Sequence, residues 1–277
     1  MRFVKMHGLG NDFILVEADE LPKIDLAILA KKVCDRHFGI GADGLMLVLP
    51  SEKAAWRMRI FNSDGSEAQM CGNGIRCFAR YVYDQGWVEK EKFSVETLAG
   101  IITPHLIFEG ERLQGIKVDM GEPILEKEAI PMLGEGGQAL GESLSVLDKV
   151  FTVTALLMGV PHCLIFVDNL AGITVEKYGP ALENHHFFPE KTNVHFLEIL
   201  NENEIKMRVW ERGAGLTLAC GTGACAALVA AVLKGKTKRE ALVHLPGGTL
   251  KITWAANNHV YMTGPAEYVF RGQWLEK

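Results

Sequence analysis

The sequence predicts an α+β protein of two pseudo-symmetric lobes, each a mostly antiparallel sheet, curved as a half-barrel, wrapped around one central helix. Three observations predict it. The chain repeats itself at a spacing of 149 residues, each half holds short alternating strand-like runs, and one cysteine in each half is followed by a helix signal. The 277 residues also exceed the usual size of one domain, so two are expected on length alone.

The repeat is read first, because missing one misassigns a whole fold. Cys71-Gly-Asn-Gly and Cys220-Gly-Thr-Gly begin alike, 149 positions apart. The same shift carries Trp56-Arg-Met-Arg-Ile-Phe61 onto Ile205-Lys-Met-Arg-Val-Trp210, with matching alternation of apolar and basic residues. Gly10 falls on Gly159, Asp19 on Asp168 and Gly86 on Gly235, and the stretch from Phe3 to Lys5 lands on Thr152-Val-Thr154. The register drifts beyond Gly86. The lobes are placed at 1–117, completed by 264–277, and at 118–263, with a Gly/Pro/Glu-rich connection around 119–145.

The elements follow in order. A helical stretch is expected from Asp25 to Arg36, and the runs Leu45–Leu49, Trp56–Phe61, Val194–Ile199 and Ile205–Trp210 suit strands. After Cys71, residues Ile75, Phe78, Ala79 and Val82 form an i, i+3, i+4, i+7 stripe that Gly86 can stop. After Cys220, the run Ala224–Leu233 is apolar almost all round, the mark of a helix buried on every side, and Gly235 ends it.

Composition narrows the function. A net charge of -5 without a dense Lys/Arg run argues against nucleic acid or an anionic membrane as the partner. No stretch has the length of a signal peptide core or a membrane helix, so a cytoplasmic location is expected. There the six cysteines should be reduced thiols, and they lack the paired spacing of a structural zinc site.

Each repeat cysteine sits between a strand end and the first turn of a buried helix. That turn has unpaired backbone N–H groups and the positive end of the helix dipole, a setting expected to lower a thiol pKa. The glycines at 72 and 74, and at 221 and 223, let a ligand approach the backbone, and the same N–H groups would bind a carboxylate. With one such site per lobe facing across a cleft, one thiolate can remove an α-proton while the opposite thiol delivers one to the other face. Inversion requires two such groups, and no electron-sink cofactor is needed. A lone cysteine beside glycines is more often a packing residue, and Cys34, Cys77, Cys163 and Cys225 are read that way.

The stretches Lys5-Met-His-Gly-Leu-Gly-Asn-Asp-Phe13, Cys71-Gly-Asn-Gly-Ile-Arg76, Ala219-Cys-Gly-Thr-Gly-Ala224 and the region from Trp210 to Gly215 resemble the diaminopimelate epimerase family, over nearly the whole chain. The resemblance implies an isomerase that interconverts LL- and meso-diaminopimelate in lysine and peptidoglycan precursor synthesis. It implies no pyridoxal phosphate, no metal, a cleft active site between the lobes, and a homodimer. Carried onto matching positions, Cys71 and Cys220 are the acid–base pair, and His162 and Glu211 tune the thiols. Gly72 and Asn73, with Gly221 and Thr222, hold the reacting carboxylate. Asn11, Asn62, Asn193 and Arg212 bind mainly the distal end, and Glu211 touches the reacting amino group. Two positions depart from the common pattern: Val160 stands where many members have Asn, and Gly44 where Gln is frequent.

Other readings stay in view. Gly39-Ile-Gly-Ala-Asp-Gly44 matches a dinucleotide-binding spelling but follows a helix and precedes a strand, the wrong context. His185-His186 reads as a polar loop rather than a metal site, His7 as packing or site support, and Asn11 and Asn62 can each simply make a turn. The competing functions are a proline or hydroxyproline racemase-like or phenazine-type isomerase, or a non-catalytic thiol redox or amino-acid-binding protein.

Overall fold

The structure is a computed structural model that describes residues 1–275. In chain order, β1 (Arg2–Gly8), β2 (Asn11–Glu17), α1 (Leu26–Cys34), β3 (Gly44–Leu49), β4 (Trp56–Asn62), β5 (Glu67–Ala68), α2 (Gly72–Asp84), β6 (Val95–Thr97), β7 (Gly100–Ile102), β8 (His105–Glu109) and β9 (Arg112–Asp119) make the first half. The second half holds β10 (Leu140–Val146), β11 (Lys149–Met158), β12 (Val160–Phe166), α3 (Val175–Glu183), β13 (Asn193–Asn201), β14 (Glu204–Glu211), β15 (Gly215–Thr217), α4 (Gly221–Leu233), β16 (Glu240–Leu245), β17 (Gly248–Trp254) and β18 (Val260–Gly264). A last strand, β19 (Glu267–Gln273), pairs with β1. Contacts divide the chain into Met1–Asp119 with the segment from Thr263, and Met120–Met262. Glu276 and Lys277, at the end of the expected 264–277 completion, lie outside the described residues.

In the first unit the sheet runs β19-β1-β2-β3-β4-β6-β7, with β5 on β4. In the second it runs β10-β11-β12-β13-β14-β16-β17-β18, with β15 on β14. Most neighbours are antiparallel, and the exceptions repeat: β2 with β3 and β12 with β13 are parallel, as are β4 with β6 and β14 with β16. Thus the α+β class and its pseudo-symmetric halves hold. Among the described residues neither sheet closes into a barrel. Gly10 and Gly159, partners in the repeat, take φ of +85° and +73° where equivalent strands reverse.

Each sheet carries a helix on both faces. In the first unit α2 packs on β1, β2, β4 and β9, while α1 packs on β3 and β4. Leu45 and Leu47 of β3 join Leu29, Ala30 and Val33 of α1 in one core cluster. Met46, between them in sequence, points to the α2 side, next to Gly74. Burial on both faces is why this strand is a continuous apolar run. In the second unit α4 contacts six strands, which leaves it no solvent face and explains its all-apolar surface. Gly86 and Gly235 follow the caps of α2 and α4 with φ of +74° and +64°, the expected left-handed stops.

Two elements differ from expectation. The helix α3, equivalent to α1, is not announced by its sequence because Gly179 and Pro180 break the helical signal. The glycine is there for packing: a Cβ on it would stand 2.6 Å from Cγ of Trp210, whose indole N–H donates to Glu183 Oε2 at 2.7 Å. The connection at 119–145 is built structure. It includes β10, paired on β11, and buried Lys127, which is bonded to Glu142 and to the Glu135 carbonyl. No helix among the described residues is long and apolar enough to cross a membrane.

Candidate active site

Cys71 is the extended residue that precedes α2, with φ −138° and ψ 120°. Its sulfur accepts the Gly74 N–H at 3.4 Å, an N-cap made by a thiol. Asn11, the first residue of β2, brings Oδ1 within 3.7 Å of Sγ, and that oxygen also accepts from Asn73 Nδ2 at 3.2 Å. Asn73 Oδ1 accepts from Nη1 of Arg76 at 3.0 Å, and Arg76 is wholly buried. Asn11, Cys71, Gly72 and Asn73 are therefore together, with Asn11 at the sulfur rather than only at a distal position. Asn62 is exposed and donates to Ser66 Oγ at 2.9 Å. Gly44 pairs with Asn62 across β3–β4, and a Cβ on it would lie 2.9 Å from the Phe61 carbonyl. In this chain, then, the glycine at 44 follows from a close backbone approach.

Cys220 is the equivalent residue before α4, with φ −129° and ψ 109°. Its sulfur is 3.6 Å from Thr222 Oγ1. Here one expectation is corrected. Burial, and then the neighbouring Glu211 carboxylate, push the Cys220 thiol well above its ordinary pKa, against the smaller help of Thr222 and the Gly223 N–H. The helix N-terminus does not win at this site. Glu211 ends β14 and accepts from Thr217 Oγ1 at 2.5 Å.

His162 and His195 lie across the parallel β12–β13 pair, both wholly buried, with Nδ1 of the first 2.8 Å from Nε2 of the second. Burial holds His162 at about 3, the Arg212 charge adding to it, and lowers His195 well below 6.5. Both are therefore neutral near pH 7. Asn193 donates to the Pro161 carbonyl at 2.9 Å and accepts the Arg212 N–H at 3.0 Å, so its amide ties β12 to the backbone of Arg212. Arg212 itself donates to the Glu190 carbonyl at 3.0 Å.

The two cysteines do not have near-identical surroundings. Gly74 abuts Met46 and Ile60, whereas its counterpart Gly223 abuts the His195 ring. A Cβ at 223 would be 2.3 Å from His195 Cε1. Gly223→Ala is expected to destabilise the protein by about 1–3 kcal/mol through overpacking, checked by urea unfolding. Unchanged stability would mean that the ring is free to move. Sequence reasoning missed His195, Arg76, Asp43 and Thr217. A signal for His195 was available: the repeat sets a histidine opposite Met46, between Val194 and Phe196 in an otherwise apolar run.

Gly39 to Asp43 form a loop that enters β3, and the described residues contain no cluster of His, Cys, Asp and Glu able to hold a metal. His7 Nδ1 accepts the Gly10 N–H at 3.3 Å in the β1–β2 turn. Cys34, Cys77, Cys163 and Cys225 are buried, and burial pushes Cys34 and Cys77 up to about 12.

The comparisons agree with one another. The family model for diaminopimelate epimerase matches residues 3–126 and 154–269. A diaminopimelate epimerase of Moorella thermoacetica is 59% identical over 275 residues, covering 98% of each chain. Those of Desulfitobacterium hafniense and Methanococcus maripaludis strain C6 are 56% and 51% identical, covering 100% and 99% of this chain and 99% of each relative. Among solved structures, a phenazine biosynthesis protein of the PhzF family from Bacillus anthracis superposes with a TM-score of 0.75 at 20% identity, covering 100% of this chain and 99% of that one. A hydroxyproline epimerase from Agrobacterium vitis gives 0.68 at 16%, covering 98% and 91%. Those likenesses establish a shared fold, while identities above half the residues over full length establish more: the chain belongs to the diaminopimelate epimerase family.

Proposed function

We propose that the chain inverts one α-carbon of diaminopimelate, interconverting the LL and meso forms, with Cys71 and Cys220 as the two proton-transfer groups. One observation carries the reading: in a chain 59% identical to a diaminopimelate epimerase, repeat-equivalent cysteines each stand before a helix that opens Gly-x-Gly. The relatives at 51–59% share this name, whereas the proline and hydroxyproline enzymes resemble the chain only in fold.

The chemistry follows from the local settings. Removal of the α-proton leaves charge on the substrate carboxylate, and the first-turn N–H groups at Gly72, Asn73, Gly221 and Thr222 would stabilise it. No pyridoxal phosphate is needed for that step. Glu211 beside Cys220 is a base that can take the thiol proton, so a raised thiol pKa in the free protein is compatible with a thiolate formed on demand. His162, neutral and buried, is proposed to tune a thiol, and Asn11, Asn62, Asn193 and Arg212 to bind the substrate. The two contact units are proposed as the two functional lobes, and the protein as a cytoplasmic homodimer. Incubation in deuterium oxide with LL-diaminopimelate and no added cofactor is expected to place solvent deuterium at the α-carbon as the meso form appears. Mass spectrometry without label in either isomer would remove the proposal.

A further inference from the structure

The Cys71 site contains a hydrogen-bond chain that the two-cysteine reading does not use. Arg76 Nη1 donates to Asn73 Oδ1, Asn73 Nδ2 donates to Asn11 Oδ1, and Asn11 Nδ2 donates to Asp43 Oδ2 at 2.8 Å. Asp43 Oδ1 in turn receives Arg36 Nη2 at 2.7 Å, and its other oxygen also takes the Asp12 N–H at 3.0 Å. Arg36 is held in place by Asp12, which is paired with buried Lys5 at 2.9 Å. A guanidinium can only donate, and an ionised carboxylate can only accept. The charged ends therefore fix the sense of both amides, and neither can turn over without opposing like groups.

Cys71 hangs on the middle of this chain, with Asn11 Oδ1 3.7 Å from its sulfur. A carbonyl oxygen is a partner for S–H and not for a thiolate, whereas an amide NH₂ favours the thiolate, whose sulfur is the stronger acceptor. The Gly74 N–H at 3.4 Å acts in the thiolate's favour, so the direction of Asn11 decides which form its side of the sulfur meets. The repeat shows that the device belongs to one cysteine only. Shifted by 149, Asp43, Asn11, Asn73 and Arg76 become Thr192, Val160, Thr222 and Cys225, which cannot rebuild it. Val160 thus stands where the second unit has no such chain to complete.

We propose that Asp43 is a positioning residue of the Cys71 site: through Asn11 it keeps a carbonyl oxygen, not an amide NH₂, against the sulfur, and so holds Cys71 as the protonated thiol in the substrate-free protein. The functional meaning rests on the reading of Cys71 as a reacting thiol. The positioning itself does not.

A double-variant cycle tests it, read by the rate at which Cys71 is alkylated by iodoacetamide near neutral pH. The protein is the full chain carrying Cys220→Ser, in which the other four cysteines are buried. Asp43→Asn removes one of the two anchors of the Asn11 amide, leaving only Asn73 to oppose its turning, and the alkylation rate is expected to rise on the order of fivefold, the worth of one net hydrogen bond. Asp43→Glu, which keeps an acceptor-only partner, is expected to restore the slow rate. In an Asn11→Ala or Asn11→Ser background, Asp43→Asn is expected to change the rate by less than about twofold. A rise that persists without the Asn11 amide would show Asp43 acting as a charge through space and would overturn the proposal, as would no rise with Asn11 present. Turnover is measured separately: if Cys71→Ala epimerises normally, the catalytic reading fails while the alkylation cycle still judges the chain.

Discussion

Cys71→Ala and Cys220→Ala are each expected to lower epimerisation by on the order of a thousandfold, the usual range for loss of a general acid or base. The informative part is what survives. A protein that keeps one thiol can still exchange the α-proton on the face that thiol meets, but it cannot invert the carbon. One variant is therefore expected to wash solvent deuterium into one stereoisomer without converting it, and the other variant into the other isomer. Nuclear magnetic resonance of each isomer in deuterium oxide reads this directly. Exchange into the same isomer by both variants would exclude opposite-face chemistry, even if both were slow. The surroundings of the two sulfurs also predict unequal variants, since Cys220 has Glu211 beside it and Cys71 has an asparagine pair.

The second large effect concerns acid. His162 and His195 are neutral in the fold because burial lowers both, His162 to about 3, while an unfolded histidine titrates near 6.5. Below about pH 6.5 the unfolded chain takes up protons that the folded chain refuses, so their contribution is complete above that pH and is lost as pH falls towards the folded values. His162 alone corresponds to roughly 3 kcal/mol between pH 6.5 and pH 4, from about 1.4 kcal/mol per pH unit per proton. His105 and His185 are also lowered, but they are solvent-accessible and add less. The depressed carboxylates act in a separate window: Asp12, desolvated but held at about 2 by Arg36 and Lys5, loses its contribution only below about pH 4. Urea unfolding between pH 7 and pH 5 isolates the histidine window. A flat profile there would mean that the pair is charged or hydrated in the fold. His195→Met, which copies Met46 of the first unit, is expected to shrink the slope.

Much of the fold is legible in the sequence, for a reason that single motifs do not supply. The strands around Trp56 and Ile205 are short, and alternation alone would leave them ambiguous, but the repeat makes each a witness for the other. The helices α2 and α4 are legible from a stripe in one case and an all-apolar run in the other, with a glycine stop after each. By contrast α3 is hidden, because Gly179 answers to the Trp210 ring, a contact between residues 31 positions apart. The limit at the site is of the same kind. That each cysteine caps a helix is local and readable. Whether a thiol is favoured as anion or acid depends on burial, on Glu211 and on the Asn11 amide, which arrive from other strands. Helix-dipole reasoning alone gets Cys220 wrong for that reason.

The strand β19 has a consequence for the order in which the molecule can be completed. One edge of β1 is paired with β2, its immediate neighbour in the chain, while the other is paired with β19, in a ladder that joins Arg2 to Gln273. The second unit is drawn from one continuous stretch, Met120–Met262. The first unit is not: the outer edge of β1 stays open until β19, on the far side of the second unit in the chain, is available to it. The first unit is thus completed only after the second has been made, and until then a largely apolar edge strand is open to other nascent chains.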